Sequence, residues 1–125
     1  MKPPLENIGV SQRSRDMLVT LKRKTGIENW NVLCRWAFCD SLANPNRPIP
    51  LNGQPDSNIE MSWSTFAGGH SAELLAVFEV RARRDGISKE KQERSSYFRS
   101  HLERGISQLQ NAKSLQGLLV RSMNS

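Results

Sequence analysis

At 125 residues, 37% apolar and 24% charged, the chain has the size of one domain and enough apolar side chain for a core, which excludes a wholly disordered polypeptide. Eighteen Lys and Arg against twelve Asp and Glu leave a net charge of +6, a balance that favours a polyanionic partner. No apolar run approaches the ~20 residues that span a bilayer, and Met1 to Glu6 has no signal-peptide apolar region, so a cytoplasmic protein with no membrane partner is expected.

Leu5 to Val10 alternates weakly and reads as a short edge strand. Ser11 is an N-cap for a first helix, Gln12–Thr25, with Met17, Leu18 and Leu21 on one face and Gly26 as its stop. Asn29 or Asn31 caps a second helix reaching Ala43. Trp30, Val32, Leu33, Cys34, Trp36, Ala37, Phe38, Cys39 and Leu42 make it apolar nearly all round. Such a helix needs cover on every side, and a second subunit is the expected cover.

Four prolines and Asn52-Gly53 make 44–58 an irregular connector. Ile59, Met61 and Trp63 alternate as a second strand, which Gly68-Gly69 breaks. Ser71 caps a third helix over 72–85, and Ser88 caps a fourth over 89–109, with Tyr97, Phe98, Leu102 and Leu109 along one side. Leu115 to Val120 is apolar enough to pack back. The expected architecture is a single, mainly α domain in three stretches: 1–43, the connector 44–58, and a helical 59–125. A strand and two helices in a chain that needs a partner match the ribbon-helix-helix arrangement, in which two chains pair their strands. The N-terminal part is therefore expected to be ribbon-helix-helix-like, followed by two further helices, in an oligomer. Only Glu6 and Asn7 could read bases from such a ribbon, which argues against a sequence-reading repressor.

The charge is unevenly placed. Residues 1–40 hold seven basic and four acidic side chains, 41–70 one and two, and 71–125 ten and six. On the first helix Arg15, Lys22 and Arg23 flank the apolar stripe on one side, and Arg13 and Lys24 on the other. All five can face phosphates while the stripe stays buried, and such contacts position a protein on DNA without reading sequence. Arg81, Arg83, Arg84, Lys89 and Lys91 gather around the turn at Asp85-Gly86. Cations at a helix end oppose its dipole, which accounts for the arginines, but Lys89 and Lys91 open the next helix. A second DNA-facing patch of Arg83, Arg84, Lys89 and Lys91 is expected.

The run Leu21-Lys22-Arg23-Lys24-Thr25-Gly26-Ile27, then Trp30-Asn31-Val32-Leu33-Cys34-Arg35-Trp36-Ala37, resembles the DndE family of DNA sulfur modification proteins. The likeness continues in Phe66-Ala67-Gly68-Gly69 and in His101-Leu102-Glu103-Arg104-Gly105-Ile106, and so covers essentially the whole chain. The resemblance implies a component of a bacterial phosphorothioation system, in which sulfur replaces a non-bridging phosphate oxygen of DNA. Other subunits would supply the sulfur chemistry and nucleotide hydrolysis. This member would be a small DNA-binding homo-oligomer, a tetramer, that prefers nicked duplex. Lys22, Arg23 and Lys24 match the family's basic stretch and would contact phosphates.

The remaining chemistry-bearing residues have blander explanations. Gly68-Gly69-His70-Ser71 precedes a helix but lacks phosphate-loop spacing, and a tight turn with a serine cap accounts for it. Cys34 and Cys39, about 140° apart on a helix, suit neither a local disulfide nor a metal corner and are expected to be buried. His101 lies in an apolar stripe and is expected to be a hydrogen-bonded core residue. No Ser-His-Asp, HExxH or paired-carboxylate pattern is present. The sequence therefore points to a non-catalytic protein with no metal and no cofactor.

Overall fold

The computed structural model describes residues 2–51 and 54–111. In chain order these form β1 (Asn7–Gly9), α1 (Gln12–Thr25), α2 (Trp30–Ala43), β2 (Glu60–Ser62), α3 (Trp63–Ala67), α4 (Ser71–Arg84) and α5 (Lys91–Gln110). The helix α1 has the expected bounds because its caps are local. The Ser11 side chain accepts from Ser14 N–H, and Gly26, at φ 73°, donates its N–H to Lys22 O. That left-handed conformation is one a side chain would strain.

α5 is the element on which the others assemble. It packs against both α1 and α2, so the described part of 59–125 shares one core with 1–43. The two helices α2 and α5 approach closely at Gly105, where a Cβ would lie 1.7 Å from the Ala37 carbonyl oxygen. Glycine lets the two backbones touch there. Around that contact Phe38, Phe66, Phe78 and Phe98 are fully buried, with Phe38 stacked on Phe98 at 4.7 Å and Phe66 edge-on to both. Pairs of this kind add about 0.5–1.5 kcal/mol each beyond the area they bury.

The cover expected from a second subunit comes largely from within the chain. α5, α3 and α1 all pack on α2. β1 likewise finds its partner in the same chain, pairing antiparallel with β2 in the register Asn7↔Ser62, Ile8↔Met61, Gly9↔Glu60. The two strands meet because the connector carries the chain back past β1, where Ser57 N–H and Oγ both donate to Val10 O.

Three boundaries differ from the sequence reading. Trp63 opens α3 instead of ending a strand, because the Ser62 side chain caps that turn by accepting from Thr65 N–H. Ser71 does not cap α4: its hydroxyl accepts from Trp63 Nε1 at 3.0 Å, and His70 holds the cap position without a side-chain bond. Glu90, not Ser88, caps α5 by accepting from Gln92 and Glu93 N–H, while Ser88 donates to the Glu93 carboxylate. The segment Leu115 to Val120 lies outside the described residues.

Candidate nucleic-acid interface

With Ser14, Met17, Leu18 and Leu21 buried against the core, α1 turns its charged residues outward. Arg13, Arg23 and Lys24 are exposed; Arg15 and Lys22 are half-buried. Arg15 Nε donates to Asn58 Oδ1 at 2.9 Å and approaches Asp16 at 3.6 Å. Lys22 Nζ sits 4.6 Å from the centroid of the Trp30 ring, a cation–π contact that steadies both groups. Lys22, Arg23 and Lys24 fill the last turn, where the helix dipole favours cations. Among the described residues no carboxylate pairs with Arg13, Lys22, Arg23 or Lys24.

Arg83, Arg84, Lys89 and Lys91 are also exposed, around the turn between α4 and α5. Arg84 is less free than its neighbours, since it donates to Pro45 O and lies 3.6 Å from Asp85. The nine side chains expected to bind phosphate therefore do not form one site. Lys22 touches Trp30 at the start of α2, whereas Arg84 touches Pro45 just past its end. Those ends are about 21 Å apart at ~1.5 Å per residue over the helix, so the chain carries two separate basic patches.

Several charged residues brace the fold, Arg81 by more than the helix-dipole role read for it. Arg81 is buried: its guanidinium donates to Leu42 O, Asn44 O and Asn46 O at 2.7–2.8 Å and to Asp85 Oδ2 at 3.0 Å. Arg104 donates to Ser41 O at 2.8 Å, Ser41 Oγ at 2.9 Å and Asn46 O at 2.6 Å. Together they satisfy carbonyls at the C-terminal end of α2, which an isolated helix leaves open, and place two positive charges at its negative pole. Burial alone would raise Asp85. Hydrogen bonds from Tyr97 and Arg81, with the charges of Arg81 and Arg84, hold its carboxyl below the usual range. Next to Arg104, Glu103 accepts from Ser11 N–H, Ser11 Oγ and Ser14 Oγ, binding the opposite end of α1. Spacing gives partial notice of these roles. Arg81 follows Leu74 by seven and Phe78 by three, and Arg104 follows Tyr97 by seven and His101 by three, so both fall on inward stripes.

The nucleophiles and bases are arranged for structure. His101 is fully buried with its ring edge-on to Tyr97. Arg104 donates to Ser41 Oγ, which leaves the Ser41 hydroxyl proton for His101 Nδ1 at 2.8 Å. Desolvation, then the charges of Arg81 and Arg104, push the imidazole down to about 3, so it is neutral at physiological pH. Burial, and secondarily Glu103, push the Cys34 thiol up to about 12. Cys39 departs from expectation: it is exposed, because it lies on the strip of α2 facing away from α5. Its thiol is still raised by desolvation, with Arg35 lowering it and Asp40 raising it. Among the described residues no three His, Cys, Asp or Glu side chains are grouped to hold a metal, and no helix is long and apolar enough to cross a membrane.

Comparison with known proteins places this architecture. The chain matches the family model for DNA sulphur modification protein DndE over residues 7–117. In fold it is similar to the crystal structure of DndE from Escherichia coli B7A, which is involved in DNA phosphorothioation modification. That likeness has a TM-score of 0.71 and 24% identity, covering 87% of this chain and 98% of the other. It is also similar to the structure of a DndE mutant involved in DNA phosphorothioation, with a TM-score of 0.67 and 22% identity over 86% and 98% of the two chains. Comparison with curated proteins returned no match. With the family model spanning all of the elements from β1 to α5, this chain belongs to the DndE family of DNA sulphur modification proteins.

Proposed function

We propose that the protein is a non-catalytic, cytoplasmic DNA-binding subunit of a DNA phosphorothioation complex, gripping duplex DNA, with preference for a nicked strand, through phosphates. The observation that carries this reading is the outer side of α1. Arg13, Arg23 and Lys24 are exposed, Arg15 and Lys22 border them, and only Arg15 has a carboxylate partner among the described residues. Each phosphate neutralised by such a group releases condensed counterions, so affinity falls steeply with salt. The patch of Arg83, Arg84, Lys89 and Lys91, about 21 Å away along α2, offers a second grip on the same duplex or on a neighbouring one.

The second part of the reading is a homo-oligomer, a tetramer, that works with the other subunits of the modification complex. A cleft of about 620 Å³ between α2 and α4 supports it, lined by Cys39, Leu42, Ala43, Ala76, Val77 and Val80. Val77 is 47% and Val80 71% exposed, which is unusual for adjacent branched apolar side chains on one helix face. The same cleft favours a second reading, an adaptor that joins protein subunits and touches DNA weakly. A repressor reading bases through a two-chain ribbon has less support, because β1 is three residues long and paired within its own chain.

The test is affinity for nicked and intact duplex of one sequence across a salt series. A steep loss with salt, and tighter binding to the nicked form, is the expected result. Reversing charge at Lys22, Arg23 and Lys24 together should weaken binding about equally for all sequences and flatten the salt slope by roughly 0.9 per lost contact. Unchanged binding by a folded triple variant would move the interface elsewhere. Negligible binding by the native protein at low salt would favour the adaptor.

A further inference from the structure

Beside the basic flank of α1 the surface opens into a cleft of about 420 Å³, whose walls include Arg15, Asn29, Trp30, Asn58 and two carboxylates, Glu28 and Glu60. That volume falls within the ~300–1,000 Å³ typical of small-molecule sites. Its chemistry differs from that of the helix beside it. A phosphate would be repelled by Glu28 and Glu60, so the cleft is unsuited to an anion although its rim is cationic. What it offers instead is an indole, held by Lys22 above its ring at 4.6 Å, and a set of amides with spare hydrogen-bonding capacity. Asn58 Oδ1 is taken by Arg15 Nε, which leaves its NH2 group. Asn31, also in the wall, gives its NH2 to Thr65 O at 3.2 Å, which leaves its carbonyl. Asn29 stands at the cap position of α2 without a side-chain cap bond, so both ends of its amide remain for a ligand. A neutral, planar, heteroaromatic group with donors and acceptors on its edge suits every one of these features.

We infer that this cleft receives one unstacked nucleobase of the bound DNA, stacked on Trp30 and contacted at its edge by Asn29, Asn31 and Asn58, while Arg15 and Lys22 hold the flanking phosphates. The inference rests on the reading that α1 grips the DNA backbone, and it adds what the grip is for: recognition of a strand with an unpaired nucleotide. Aromatic stacking of single bases is tolerant of sequence, because every base has a π-face. Three amides can pair with several base edges, so strong base discrimination is not expected. Glu28 and Glu60 add acceptors that match exocyclic amino groups.

The experiment measures affinity of the full chain, at one salt concentration, for three duplexes: fully paired, carrying one unpaired 2-aminopurine nucleotide, and carrying an abasic residue at the same place. The expected result is about tenfold tighter binding to the unpaired base than to the paired duplex, in line with single-base stacking. The 2-aminopurine fluorescence should be quenched on binding, and the abasic duplex should behave like the paired one. Trp30→Leu should abolish both the preference and the quenching. Because Trp30 also packs on the core, Asn29→Ala provides a second variant at an exposed position, with a several-fold loss of preference expected. Equal affinity for all three duplexes, or an abasic duplex bound as tightly as the unpaired base, would overturn the inference and leave the phosphate grip standing. A preference untouched by both variants would also overturn it. Failure to bind any of the three would instead overturn the underlying reading of α1.

Discussion

The helix pair α2–α5 should be intolerant of one methyl group at position 105. In Gly105→Ala the new Cβ would lie 1.7 Å from the Ala37 oxygen, 2.3 Å from its carbonyl carbon and 3.0 Å from its Cα. These are backbone atoms inside a helix, so no side chain can swing aside, and ordinary contact near ~3.5 Å requires the helices to part by more than ~1 Å. A gap of that size forfeits roughly a quarter to a half of each dispersion contact. Phe38, Leu102 and Ile106, all fully buried, stand to lose several such contacts each. Overpacking of this kind typically costs about 1–3 kcal/mol, and a clash with backbone belongs at the upper end. Alanine recovers about 1 kcal/mol of helix propensity. The net expectation is a destabilisation of about 2 kcal/mol, read as a Tm lowered by roughly 6–10 °C for a chain of this size. Gly69→Ala is the control, because its Cβ would meet no atom within 4 Å. If thermal unfolding placed Gly105→Ala level with the native chain while Gly69→Ala was unchanged, the close approach of α2 and α5 would be refuted.

Other perturbations separate bracing charges from surface ones. Arg81→Ala removes a buried ion pair and three carbonyl contacts and should cost about 3–5 kcal/mol in urea unfolding, whereas Arg83→Ala, two residues away and exposed, should stay within ~0.5 kcal/mol; equal effects would contradict the brace. Because His101 is held near 3 when folded, below the ~6.5 of a free imidazole, the unfolded chain takes up a proton that the folded chain does not. Stability should therefore be full above about pH 6.5 and fall as pH drops, by about 2 kcal/mol at pH 5. His101→Gln should flatten that slope, and a slope that persists would assign it to other groups. An aromatic disulfide reagent should titrate one thiol in the native protein and two after unfolding, the native one lost in Cys39→Ser and kept in Cys34→Ser. Its rate should still be climbing above pH 9, since the Cys39 thiol is raised; two native thiols would place Cys34 within reach of solvent.

How far the fold could be read from sequence follows from how local each signal is. α1 has the bounds read for it because Ser11 and Gly26 act within a turn of the helix they delimit, whereas α2 keeps its bounds with Asn29 at the cap position and no side-chain cap bond. α3 was hidden by Trp63, whose spacing from Ile59 and Met61 continues a strand. The opposing signal, Ser62 followed three residues later by Thr65, is two hydrogen bonds within a single turn. Ser71 and Ser88 were plausible caps on type alone, but a hydroxyl serves whichever partner the tertiary structure brings, and that was Trp63 for one and Glu93 for the other. The apolar girth of α2 was visible; which molecule covers it was not. The covering helix lies some 60 residues on, and periodicity carries no information about pairing at that range.

The same limit divides the candidate site. That α1 presents cations to solvent could be read directly, because its buried stripe is narrow and Arg13, Lys22, Arg23 and Lys24 fall outside it. That the nine cations make two patches depends on the length of α2 and on where the connector returns. That Trp30 and three asparagines share a cleft depends on β1–β2 pairing, which brings Asn58 and Glu60 beside the start of α2. α5 ties these levels together through two adjacent residues of opposite charge. Glu103 caps the start of α1 and Arg104 closes the end of α2. Lys22 to Lys24 at the end of α1 and Trp30 at the start of α2 lie at the ends that α5 does not fasten, whereas Arg13 and Arg15 lie beside the fastened start of α1. On the proposed reading, the near ends, where Lys22 meets the Trp30 indole, are the part of the helix pair that the DNA engages.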